Sequence, residues 1–85
     1  MTTSESRVPA RLLPEHATTV AVRKLREVLT TKTCQQVASR LGCSHDMVRK
    51  WAQEIAKPWR VNREAAERLY GIGYYEWDEP TEARH

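Results

Sequence analysis

Residues 34–53, CQQVASRLGCSHDMVRKWAQ, place two short amphipathic stretches on either side of a single glycine, and no other segment restricts the fold as tightly. Val37, Ala38 and Leu41 fall at i, i+1 and i+4, one face of a helix, and Met47, Val48 and Trp51 repeat that pattern on a second. Gly42 stands between them, where a positive φ ends a helix sharply, and Ser44 offers a side-chain oxygen to cap the next. Small Ala38 lets the two helices approach closely. Their apolar faces must bury against each other and against further helices, which leaves His45, Asp46, Arg49 and Lys50 outward.

The flanking chain supplies those further helices. Ala17, Ala21, Leu25, Val28 and Leu29 form a stripe at three- to four-residue spacing, with Arg23, Lys24, Arg26 and Glu27 on the remaining surface. This predicts a helix from near Pro14 to about Thr30, and a Thr of the following TTKT stretch as cap of the next helix. The second helix of the central pair is expected to run to Ile55 or Ala56, with Pro58 marking its exit. Asn62 then reads as an N-cap, Ala65, Ala66, Leu69 and Tyr70 as an inner face, and Gly71 as a stop behind which Ile72 folds back. GYYEW predicts one more turn, laying Trp77 over the core. The expectation is an all-α, compact four- to five-helix domain over residues 15–77, a flexible arm over 1–14 and a frayed tail over 78–85.

At 85 residues the chain supports one small domain. No apolar run approaches the roughly 18 residues that span a bilayer, and no signal-peptide pattern opens the chain, which reads as cytosolic. Cys34 and Cys43 lie inside the helical pattern, do not match C-x-x-C spacing, and have no partner ligands in His16 or His45; both read as small buried residues, not as a metal site. No nucleophile–base pair, paired carboxylates or phosphate loop is present, so neither an enzyme nor a cofactor or small-molecule site is expected.

The net charge of +3 is unevenly spread. Residues 16–61 hold nine Lys or Arg against three acids, whereas residues 62–85 hold three against six. A charge run is usually a solvated face. Coinciding with a paired-helix pattern able to enter a DNA groove, it instead points to double-stranded DNA.

On that reading Ser44, His45, Asp46, Arg49, Lys50 and Gln53 are the candidate base contacts. The Arg49 fork suits guanine O6 and N7. Asp46 has two readings: it accepts from cytosine N4, or it favours the helix N-terminus and holds Arg49 or Lys50 at i+3 and i+4. Gln35, Gln36, Arg40, Lys57 and Arg60 are the candidate phosphate contacts, and Ser44 divides its role between cap and phosphate. Trp51 and Trp59 read as core, not as base-stacking surfaces. Self-association as a homodimer on DNA would draw on Leu12 and Leu13, or on Tyr74, Tyr75 and Trp77.

Residues 35–51, QQVASRLGCSHDMVRKW, resemble the helix-turn-helix of lambda-repressor/Cro-like (XRE-type) regulators. Ala38 stands at the helix crossing, Gly42 at the turn, Val48 at the buried position six residues on and Trp51 three beyond; Pro58 and ERLYGIGYYEW are similar to the exit and closing helix of short phage-type members. The resemblance covers roughly residues 17–77 and implies a sequence-specific transcriptional regulator, repressor or activator, acting in the cytoplasm at the nucleoid. The exit WAQEIAKP departs from that pattern, since family members often carry an acid and then a glycine after the tryptophan. With VRKW it also resembles transposase N-terminal domains, terminase small subunits and phage CII-type activators. These imply a DNA-binding accessory of a packaging, excision or transposition complex. A protein-interaction module, such as an antitoxin or antirepressor, is the third reading.

Overall fold

The computed structural model describes residues 13–81, which are all-α: a 3-10 turn at Pro14–His16, α1 at Val20–Val28, α2 at Cys34–Leu41, α3 at His45–Ala52, α4 at Arg60–Tyr70, and a closing 3-10 turn at Tyr74–Asp78. Residues 1–12, most of the expected arm, and 82–85 lie outside the described residues. The α2–α3 pair forms the centre, α1 packs against α3, α4 packs against α2, and the closing turn touches both α1 and α4. Each helix buries one stripe into a shared core: Ala21, Val22, Leu25 and Leu29; Val37, Ala38 and Leu41; Val48, Trp51 and Ala52; Ala65 and Ala66. Trp77 lies edge-on to Trp51, with ring centroids 6.1 Å apart at 66°. The two indoles, both buried, supply bulk that the chain, which has no Phe, must find elsewhere.

Three helix boundaries differ from those read in the sequence. α1 does not start at Pro14; the chain is extended at Ala17, and Thr19 caps the helix by accepting from the Val22 N–H at 3.3 Å. The reason is tertiary: the Val20 N–H donates to the Glu79 carbonyl and the Thr81 N–H to the Thr18 carbonyl, so the helix entrance is pinned to the far end of the chain. Residues 78–81, expected in the loose tail, are thereby hydrogen-bonded into the domain.

α3 ends at Ala52 and not at Ile55 or Ala56. Glu54 takes a left-handed conformation at φ 62°, and the Ile55 N–H returns to the Lys50 carbonyl while the Glu54 N–H returns to that of Trp51. This is the Schellman ending that glycine normally makes. α4 begins two residues before Asn62: Trp59 is the extended residue at its entrance, with no side-chain cap, and buried Pro58 sets the turn. The Arg63 side chain donates to the Pro58 carbonyl at 3.0 Å and to the Tyr74 carbonyl at 3.3 Å, tying that entrance to the closing turn.

The structure also reverses two assignments of side chains. Trp59, read as core, is 78% exposed. Arg26, read as surface, is buried, although its place four residues after Val22 and three before Leu29 falls within the apolar stripe.

Candidate nucleic-acid interface

Three local devices hold α2 and α3 in place. Thr33 and Gln36 form a reciprocal capping box at the start of α2: the Gln36 N–H donates to Thr33 Oγ1 at 3.1 Å, and the Thr33 N–H donates to Gln36 Oε1 at 2.9 Å. Gly42, at φ 80°, turns the chain so that its own N–H and that of Cys43 both reach the Ala38 carbonyl. Ser44 Oγ then accepts from the Met47 N–H at 3.3 Å. Ser44 is thus a helix cap, with its hydroxyl hydrogen left for an outside acceptor.

With Val48, Trp51 and Ala52 turned into the core, α3 presents His45, Arg49 and Lys50 as exposed residues and Asp46 as half-exposed. Asp46 accepts from Arg49 Nη2 at 2.8 Å and lies 3.6 Å from Lys50 Nζ. These are the i+3 and i+4 pairs of one helix face. The hydrogen bond from Arg49, helped by both positive charges, holds the Asp46 carboxyl below its usual range. Gln53, half-buried at the end of the helix, is farthest along this face, and its backbone N–H closes on the Arg49 carbonyl.

The outer side of α2 carries an open groove lined by Lys32, Gln35, Gln36, Ser39 and Arg40. Of the five candidate phosphate contacts, Gln35, Gln36 and Arg40 meet there. Gln36 has its carbonyl oxygen engaged in the capping box, which leaves its amide donors for an outside group. Arg40 lies over the Tyr70 ring at 5.5 Å. Lys32 and Ser39 were not singled out by the sequence reading; Lys32, a base one residue before the Thr33 cap, was the signal available.

The remaining two candidates stand apart from this groove's lining. The Lys57 ammonium is held by Asp78 at 2.8 Å, an acid it shares with Arg63 at 3.1 Å, and Arg60 is exposed at the first residue of α4. Hydrogen bonds from Lys57 and Arg63 hold the Asp78 carboxyl low.

Folding therefore redistributes the positive charge. Lys24 is taken by Glu76 at 2.9 Å, and buried Arg26 by the Ala52 carbonyl at 2.9 Å and by Glu54 at 3.5 Å. Residues 32–53 keep Lys32, Arg40, Arg49 and Lys50 against one acid, Asp46. Burial pushes the Cys34 thiol up, and the nearby Arg49 charge offsets this in part, which puts Arg49 within electrostatic reach of the first turn of α2. Of the groups suggested for self-association, Trp77 is buried and Tyr74 is half-buried, with the Arg63 guanidinium over its ring at 5.4 Å; Tyr75 is exposed, as is Leu13.

Set beside known proteins, the chain matches no family model, no curated protein and no solved structure. Among the described residues no helix is long and apolar enough to cross a membrane.

Proposed function

We propose that this protein is a sequence-specific regulator that binds double-stranded DNA, with α2–turn–α3 as a helix-turn-helix and α3 as the helix entering the major groove. The observation that carries the reading is the two-sidedness of the central pair. Val37, Leu41, Val48 and Trp51 are buried, while Gln35, Arg40, His45, Arg49 and Lys50 are exposed, within a segment, residues 32–53, of four bases and one acid. Lys32, Gln35, Gln36 and Arg40 would hold the phosphate backbone, and Arg49, with His45 and Lys50 beside it, would read base edges. The regulator acts in the cytoplasm, at the nucleoid, and two copies on adjacent half-sites are one arrangement open to such a reader.

A second reading, an interaction module such as an antitoxin or antirepressor, draws on the exposed Ile55, Trp59, Val61 and Tyr75. A gel-shift titration over salt concentration separates the two. Binding to duplex DNA that weakens steeply as salt rises is the expected result; no measurable affinity at low salt rules the DNA reading out. Under the same reading Arg49→Ala costs about 1–3 kcal/mol on a selected site and relaxes the preference there.

A further inference from the structure

Asp46 is the single acid among residues 32–53, and it stands in the first turn of the helix assigned to the groove. Facing a polyanion, a carboxylate there weakens attraction to phosphate. Nor does it add much to folding: the Asp46, Arg49 and Lys50 side chains are all about half exposed, and ion pairs at such sites contribute little to stability. Its geometry suggests a different use. Arg49 is a long side chain with many rotamers, and a bidentate contact to guanine requires one orientation of its planar fork. One oxygen of Asp46 takes Nη2 of Arg49 at 2.8 Å, and the other faces Lys50 at 3.6 Å, so both bases are tethered to one carboxylate on their own helix face. A guanidinium carries five N–H donors, and among the described residues only Asp46 engages them, which leaves an outer edge for a base.

We propose that Asp46 is a positioning residue that sets base discrimination by orienting Arg49, while its charge suppresses indiscriminate binding to phosphate. The inference rests on the DNA reading above. It requires affinity and discrimination to move in opposite directions when the carboxylate is removed, which a residue that merely supported the helix would not produce.

The test starts from a randomised double-stranded DNA pool enriched by the wild-type protein. Dissociation constants are then measured for wild type, Asp46→Asn, Asp46→Ser and Arg49→Ala on the enriched duplex, on the same duplex with its most strongly selected G·C pair changed to A·T, and on a scrambled duplex. Circular dichroism and the urea midpoint check that each variant is folded. Both Asp46 variants should bind the scrambled duplex several-fold more tightly and lose about tenfold in the ratio between enriched and substituted sites. Arg49→Ala should lose the same ratio, with no further loss when combined with Asp46→Asn. An Asp46→Asn protein that keeps the wild-type ratio, or gains nothing on scrambled DNA, overturns the positioning role. A wild-type protein that binds no duplex at low salt overturns the proposed function instead, a result plainly different from the first.

Discussion

The Nε of Arg26 donates to the carbonyl oxygen of Ala52 at 2.9 Å, so a charged side chain from the last turn of α1 closes the end of α3 from inside the core. The last carbonyls of a helix have no partner within it, and burying one unpaired is costly. The same guanidinium donates to the Leu13 carbonyl at 3.2 Å and reaches Glu54 at 3.5 Å. Burial lowers the Arg26 pKa and the Glu54 charge opposes that shift, in keeping with a base that is hidden but compensated. One residue thus binds the N-terminal turn, α1 and the exit of α3 together.

Replacing Arg26 by Ala should therefore destabilise the fold by about 3 kcal/mol, since it opens a cavity and leaves buried acceptors unpaired. Arg26→Met keeps much of the apolar stem and should lose less, about 1–2 kcal/mol. Urea unfolding measures both. An alanine variant within about 0.5 kcal/mol of wild type would show that Arg26 is not the closure of α3.

Glu54 has two opposing effects. Its φ of 62° is strained for any residue with a Cβ, yet its carboxylate accepts from the Thr18 N–H at 2.9 Å, from the Thr18 hydroxyl and from Arg26. Glu54→Ala should lose the contacts and keep the strain, whereas Glu54→Gly loses the contacts but relieves it. Both variants should be less stable than wild type, with glycine above alanine by about 1 kcal/mol. Equal urea midpoints for the pair would contradict the left-handed turn.

Acid should unfold the protein through its paired carboxylates. Asp78 is held low by hydrogen bonds from Lys57 and Arg63; burial pushes Glu76 up, but bonds from Lys24 and the Gly73 N–H outweigh it and leave the group low. A carboxylate with a lower pKa folded than unfolded adds stability that is fully present above the unfolded value and disappears as pH falls through the folded one. The urea midpoint should thus respond little to these groups above about pH 5 and drop below about pH 4. Asp78→Asn should make that drop shallower, and a drop of unchanged steepness would remove Asp78 from the account.

The three tryptophans should separate in a quenching experiment. Trp51 and Trp77 are each 1% exposed and Trp59 is 78% exposed, so acrylamide should quench Trp59 almost alone in the native protein. Trp59→Ala should remove the quenchable signal and shift stability by less than about 0.5 kcal/mol. Trp51→Ala should cost about 3–5 kcal/mol, most of what a domain of this size has. A Trp59→Ala protein destabilised as strongly as Trp51→Ala would return that indole to the core.

Much of the centre of this protein is legible along the chain because its causes are local. Gly42 must supply a positive φ, Ser44 and Thr33 cap helices that begin immediately after them, Gly71 ends α4 with Ile72 folded behind it, and the apolar spacing of residues 37–51 selects the buried face. The exposed positions of α3 follow from the same period, which is why His45, Arg49 and Lys50 could be named beforehand.

What residues near in sequence could not decide is where charge ends up and where helices stop. Arg26 belongs to a basic helix face until Ala52 and Glu54, 26 and 28 positions away, come near enough to take it inside. Lys57 is a free base in the sequence and an ion-paired one in the fold, because Asp78 arrives from the closing turn. α3 stops at Ala52 although its local sequence would carry it further, since Glu54 gains Thr18 and Arg26 by turning left-handed. The sequence by itself determined an all-α chain with a two-faced central helix pair, because periodicity and capping act within a few residues. Only the tertiary structure decided which bases flanking that pair are hidden or ion-paired, because a charge is removed from solvent or neutralised by whatever group folding brings beside it.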